Sequence, residues 1–186
     1  MSHISTPTPD ARSKPELGGI ICASLTPVGA DGSIDIARMA AHIGGLFADG
    51  CSFVSPFGST GEGPSFSVRE KLAALSALVA AGIDPARLIP ASMSAALDDV
   101  VEMVRFGAAG GYPAVLIVPP FYYGGASQDG IAEFFAALAD RLGGTLPVDI
   151  ILYHIPQLTR VGFGVELVRN LIARHGQRIV GIKDST

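Results

Sequence analysis

Short apolar runs at 19–25, 51–55, 88–91, 114–118, 149–153 and 179–183 alternate with longer segments of helical period, and this rhythm restricts the fold more than any other feature of the chain. Each run has the length and character of a strand buried on both faces. Between the first two lie Ile36, Met39, Ala40, Ile43, Leu46 and Phe47, spaced as one stripe of a helix, with Asp35 placed to cap its start and Gly50 to stop it. A second helix opens on Ser67 and Glu70, the spacing of a capping box. Further stripes begin at Leu97, Ile131 and Leu167, and Gly107, Gly143 and Gly176 stand where helix terminators are expected. Helix-length crossovers between consecutive strands require those strands to be parallel, so the fold class is α/β.

An open doubly wound sheet and a closed (β/α)8 TIM barrel are built from the same unit, and both place ligands at the carboxyl ends of the strands. Polar residues stand at several such ends: Thr26, Ser59 and Thr60, Tyr122 and Tyr123, Tyr153 and His154, Lys183 and Asp184. Chemistry offered by so many consecutive strands suits the mouth of a barrel, and the segment 25–32 lacks the G-x-G-x-x-G of a dinucleotide site. One unit takes about 32 residues, so eight would need roughly 270. The expectation is a TIM barrel truncated after its sixth strand: residues 18–186 form about six of eight units, preceded by a flexible N-terminal arm over 1–17.

Composition narrows the function. Hydrophobic residues make up 48% and charged residues 16%, which supports a packed core and excludes a disordered chain. A net charge of −4 argues against a nucleic-acid surface. The first nineteen residues have no apolar centre, and the longest apolar stretch, 72–83, is too short to cross a bilayer. Cys22 and Cys51 form no Cys-x-x-Cys pair, and His3, His42 and His175 have no ligand spacing. A cytoplasmic protein without membrane, nucleic-acid or metal chemistry is the expectation.

Lys183 ends the last apolar run, and alternation puts Ile179, Gly181 and Lys183 on one face and Val180 and Ile182 on the other, toward a helix layer. An ordinary lysine is neutral in only about one molecule in 2,500 at pH 7, so a nucleophilic one needs an apolar or cationic setting. The same residue could instead be a snorkelling lysine at the rim, or one paired with Asp184. Tyr153 ends the preceding run, where it could serve as a general acid or base beside such a lysine or simply pack. His154 points to the opposite face or into the next loop, a structural place. The loop 57–64, with Gly58, Gly61 and Gly63 around Ser59 and Thr60, offers amides and hydroxyls to a small carboxylate, or is an ordinary Gly-rich turn.

Together, Gly58-Ser-Thr-Gly-Glu62, Pro120-Phe-Tyr-Tyr123 with Ser127-Gln-Asp-Gly130, Leu152-Tyr-His-Ile-Pro156 and Val180-Gly-Ile-Lys-Asp184 occur in an order that resembles the dihydrodipicolinate synthase and N-acetylneuraminate lyase family. Leu25-Thr-Pro followed by Asp31-Gly-Ser-Ile-Asp35 looks like that family too. The resemblance implies a class I aldolase or lyase on a TIM barrel, usually a homotetramer, which uses pyruvate and an aldehyde-type partner and needs no cofactor beyond a covalent lysine imine. It implies Lys183 as the imine-forming lysine, Tyr153 as the proton-relaying tyrosine, Ser59 as part of that relay, and Thr60 as the holder of the pyruvate carboxylate. Tyr123 looks like the tyrosine that reaches a neighbouring subunit's site, although Phe121 and Tyr122 offer adjacent registers.

One position departs from the synthases, which carry an arginine two residues after the proline of the tyrosine motif, where this chain has Leu158. Arg160, two residues further, could compensate only if the loop is reshaped. The resemblance with this departure favours a general pyruvate-dependent lyase or aldolase acting on an aldehyde or sugar acid. A 4-hydroxy-tetrahydrodipicolinate synthase is the alternative, and an inactive barrel fragment or interaction subunit is an alternative of another class.

Overall fold

The computed structural model describes residues 17–186, so all of the arm expected over 1–17 except Leu17 lies outside the described residues. Six strands and six helices follow in order: β1 (Ile21–Ala23), α1 (Ile36–Ala48), β2 (Phe53–Ser55), α2 (Val68–Ala80), β3 (Ala91–Ser92), α3 (Leu97–Ala109), β4 (Ala114–Ile117), α4 (Gln128–Arg141), β5 (Asp149–His154), the single turn α5 (Pro156–Thr159), α6 (Val165–His175) and β6 (Ile179–Asp184). β1 pairs with β2, and β3, β4, β5 and β6 pair in that order, all in parallel. A parallel bridge from Val54 to Leu88 joins the two groups. The result is a run of six parallel strands in sequence order, the arrangement of the first six strands of a TIM barrel.

Alternation along the strands builds two apolar layers. Val115 and Ile117 of β4 and Ile150 and Leu152 of β5 pack outward among Met39, Leu75, Val104 and Phe135 of the helices. Ala114 and Leu116 of β4 and Ile151 and Tyr153 of β5 face inward with Phe53, Ile89 and Met93. Both faces of the central strands are therefore covered, as their nearly continuous apolar sequence requires.

The helix signals hold locally. The Asp35 carboxylate accepts from Arg38 N–H, and Ser67 and Glu70 form the reciprocal capping box. Gly50 and Gly143 take positive φ just past α1 and α4, and Gly176 ends α6.

Four expectations are corrected. β3 is Ala91–Ser92, whereas the apolar run is 88–91; Pro90 has no N–H to give the ladder, so Leu88 makes only an isolated bridge. Gly107 does not end α3, which continues to Ala109; it is the point of contact with β4, where a Cβ would lie 2.8 Å from Val115 Cγ2. Ile179 does not share the face of Lys183. It pairs with Ile150 and packs in the outer layer, and a register shift then sets Gly181 opposite Ile151 and Lys183 opposite Tyr153. Val180 and Ile182 are 41% and 46% exposed rather than packed on helices, because β6 is the edge strand of the described sheet.

Candidate active site

Tyr153 and Lys183 are direct partners in the β5–β6 ladder, so their side chains leave the sheet on the same face near its carboxyl edge. The Lys183 Nζ lies 3.9 Å from the centroid of the Tyr153 ring, a cation–π approach, and donates to Ser185 Oγ at 2.8 Å. Tyr153 is buried, and its hydroxyl stands 2.7 Å from Ser59 Oγ. Burial pushes the phenol's pKa up, but the neighbouring Lys183 and the Ser59 and Ser185 hydroxyls outweigh it, and the phenol is more acidic than an ordinary tyrosine.

Ser59 is delivered by a tightly built loop after β2. Its positive φ angles belong to Phe57 (63°) and Glu62 (51°), whereas Gly58, Gly61 and Gly63 keep ordinary backbone angles. The glycines serve close approach instead. A Cβ at Gly63 would stand 1.8 Å from Phe57 O, and one at Gly61 would stand 2.8 Å from Ser24 O. Thr26 Oγ1 donates to Gly61 O at 2.7 Å, which ties the loop to the end of β1. The Glu62 and Gly63 amides close the loop on Ser59 O and Gly58 O, so they do not face an anion.

The structure therefore joins Ser59, Tyr153 and Lys183 and leaves the other two candidates apart. Thr60 is exposed at the rim of the loop. Tyr123 is 91% exposed and packs edge-on against Tyr122, with ring centroids 5.1 Å apart. Asp184 does not pair with the lysine; it lies opposite His154 and accepts from Thr186 N–H at 2.9 Å. His154 has the structural place expected of it, its Nδ1 accepting from Phe163 N–H at 3.0 Å.

Ser185 is the site residue that the sequence reading missed. Its spacing of two from Lys183 on a strand end was the available signal. The Gln157 side chain also donates to Ser185 O, which fastens the loop after β5 to the lysine's surroundings. Beneath Lys183 lies a mainly apolar cavity of about 280 Å³, lined by Ile21, Ser55, Ile89, Leu116, Ile151 and Gly181 among others. Among the described residues no cluster of three or more His, Cys, Asp or Glu could hold a metal ion, and no helix is long and apolar enough to cross a membrane.

The family model of the dihydrodipicolinate synthetase family matches residues 16–186. The chain belongs to this family. Within it, an uncharacterized DapA-like lyase of Chloroflexus aurantiacus is 37% identical over 171 residues, covering 90% of this chain and 56% of that protein. A 4-hydroxy-tetrahydrodipicolinate synthase of Hyphomonas neptunium is 36% identical over 170 residues, covering 90% of this chain and 55% of that protein. Among solved structures, the dihydrodipicolinate synthase of Agrobacterium tumefaciens superposes with a TM-score of 0.86 at 36% identity, over 90% of this chain and 58% of that one. The 2-keto 3-deoxygluconate aldolase of Picrophilus torridus gives 0.79 at 28% identity, with the same coverage of each chain. The chain thus spans somewhat more than half the length of the relatives it matches.

Proposed function

We propose that this chain carries the imine-forming half of a pyruvate-dependent class I lyase or aldolase. The observation that supports this most directly is the contact of Lys183 with a buried, acidified Tyr153 whose hydroxyl is held by Ser59. Membership of a family that includes a dihydrodipicolinate synthase and a 2-keto 3-deoxygluconate aldolase among its structural neighbours points to the same chemistry.

In this reading the neutral Lys183 amine attacks the keto carbon of pyruvate to give a carbinolamine. Tyr153 donates the proton with which the hydroxyl leaves as water, and the C=N bond forms. The iminium withdraws electrons from the methyl carbon; loss of a proton there gives an enamine, which adds to the carbonyl carbon of an aldehyde. Water then hydrolyses the product imine and restores the amine, and cleavage runs the same steps backwards. Ser59 keeps the phenol oriented and passes its proton onward. Thr60, on the rim of the same loop, is the proposed partner of the pyruvate carboxylate, and Tyr123 is the proposed residue that reaches another subunit's site in a homotetramer. The reaction uses no cofactor beyond the lysine imine, and the proposed setting is the cytoplasm.

Leu158 is 62% exposed on the helical turn α5 and cannot bind a carboxylate, which favours a general aldolase over a 4-hydroxy-tetrahydrodipicolinate synthase. The exposed Ile21, Val180 and Ile182 on the two outer strands favour a second reading, an inactive fragment or interaction subunit, because such edges invite pairing with another chain. Borohydride reduction in the presence of pyruvate separates the two. The expected result is a covalent adduct on Lys183 that disappears in Lys183→Ala; a folded protein that gives no adduct supports the inactive reading.

A further inference from the structure

The Leu25-Thr-Pro segment just past β1 has no part in the chemistry above, yet it touches the loop that delivers Ser59. Thr26 is half-buried, and its hydroxyl donates to the Gly61 carbonyl oxygen at 2.7 Å across 35 residues of chain. Gly61 is buried and seated on the same strand end: a Cβ there would lie 2.8 Å from Ser24 O and 3.0 Å from Thr26 Oγ1. Ser24 is buried in turn, and its N–H donates to Ser55 O at 3.2 Å, which carries the pairing of β1 with β2 up to the base of the loop.

That loop needs an outside hold. Phe57 and Glu62 keep left-handed φ angles of 63° and 51°, unfavourable for residues with a side chain, and such angles persist only where the surroundings fix them. Within the loop, the Glu62 and Gly63 amides bond Ser59 O and Gly58 O, which shapes the turn without placing it on the sheet. Among the described residues, two hydrogen bonds tie 58–63 to the ends of other strands: Ser59 Oγ with the Tyr153 hydroxyl, and Thr26 Oγ1 with Gly61 O, each at 2.7 Å. The first belongs to the site itself, so Thr26 supplies the anchor that is independent of it. Gly61 directly follows Ser59 and Thr60, and a shift of its carbonyl displaces both hydroxyls.

We infer that Thr26 is a positioning residue: through the Gly61 carbonyl it fixes Ser59 against Tyr153 and holds Thr60 in its place on the rim, so that the end of β1 sets the alignment of groups carried by β2 and β5. The kinetic consequence rests on the aldolase reading, whereas the placement of Ser59 against Tyr153 does not.

Two measurements test it. Thr26→Val keeps the shape of the side chain, removes the donor and leaves the buried Gly61 carbonyl without its partner. In borohydride trapping it is expected to slow adduct formation about 3- to 10-fold, and to raise the pyruvate concentration for half-maximal trapping by a similar factor because Thr60 moves with Ser59. The alkaline limb of the pH profile should move upward, since the Ser59 contact that lowers the pKa of the phenol is loosened. Thr26→Ala should behave as Thr26→Val does, and Thr26→Ser, which keeps the donor, should stay within about twofold of wild type. The second measurement needs no turnover. Carbon NMR of tyrosine labelled at Cζ, with the resonance assigned by Tyr153→Phe, is expected to show Tyr153 titrating at higher pH in Thr26→Val and Thr26→Ala, and at the wild-type pH in Thr26→Ser. Denaturation midpoints are read alongside. A lower midpoint with unchanged trapping and unchanged titration would make Thr26 a support of the fold alone and overturn the inference. Slower trapping with an unmoved titration also overturns it, because the effect would not pass through Ser59, and so does a Thr26→Ser that behaves like Thr26→Val. A wild-type protein that gives no pyruvate adduct, while the titration still moves in Thr26→Val, overturns the aldolase reading and leaves the positioning role standing.

Discussion

The Tyr153 hydroxyl and the Ser59 Oγ stand 2.7 Å apart although 94 residues separate them in the chain. Because Ser59 helps to acidify the phenol, removing it makes Tyr153 a weaker acid. Ser59→Ala is therefore expected to slow borohydride trapping of pyruvate about tenfold and to move the alkaline limb of its pH profile upward. Tyr153→Phe should slow trapping about 10²- to 10⁴-fold. The double variant should resemble Tyr153→Phe, since the serine acts through the phenol. Additive losses would show that the two hydroxyls work separately.

Gly63 is fixed by contact rather than by backbone angle. A methyl group there would meet the Phe57 carbonyl oxygen at 1.8 Å, and backbone cannot yield as a flexible side chain does. Gly63→Ala is expected to destabilise the fold by about 2–4 kcal/mol, in the range of severe overpacking. Displacement of the loop should also slow trapping. Unchanged denaturation midpoint and trapping rate would mean that the loop moves away without cost.

The capping box at α2 gives a smaller, cleaner effect. Ser67 accepts from Glu70 N–H while the Glu70 carboxylate accepts from Ser67 N–H at 2.9 Å. Ser67→Ala should lower stability by about 1 kcal/mol, read as a shift of the urea midpoint at constant slope.

What was legible in the sequence was local or periodic. Capping at Asp35 and Ser67 depends on residues three apart, and the inward aim of Tyr153 follows from alternation on a six-residue strand. The register shift near Ile150 and Ile151 was not legible, because an extra residue in one strand shows only against its partner. It moves Ile179 to the outer layer and still leaves Lys183 facing inward. Gly107 carried two meanings, helix end and close contact, and only the approach of Val115 decides between them. Thr60 and Tyr123 lie on loops, whose side-chain directions no period fixes. Pro90 and Ser185, by contrast, could have been read: one cannot donate to a ladder, and the other follows the lysine at strand spacing.

Lys71 is a lysine buried inside the helix layer, 3% exposed on α2. Burial drives its pKa down to about 8 from 10.5, against the opposing pull of Asp99 on α3 and of Glu70. The unfolded chain therefore binds more protons at this residue than the folded one between about pH 8 and 10.5, and stability should rise with pH across that window. Below pH 8 the full penalty is present, at most about 3 kcal/mol. Lys71→Met keeps the side-chain volume and removes the charge. It is expected to raise stability at pH 7 by about 1–3 kcal/mol and to lose most of the advantage by pH 10, so that the difference between variant and wild type shrinks as pH rises. Urea denaturation of both proteins at pH 7, 8.5 and 10 measures that difference directly. A variant less stable than wild type at pH 7 would mean that the attraction to Asp99, itself held by Ser94 Oγ at 2.8 Å, exceeds the cost of burial.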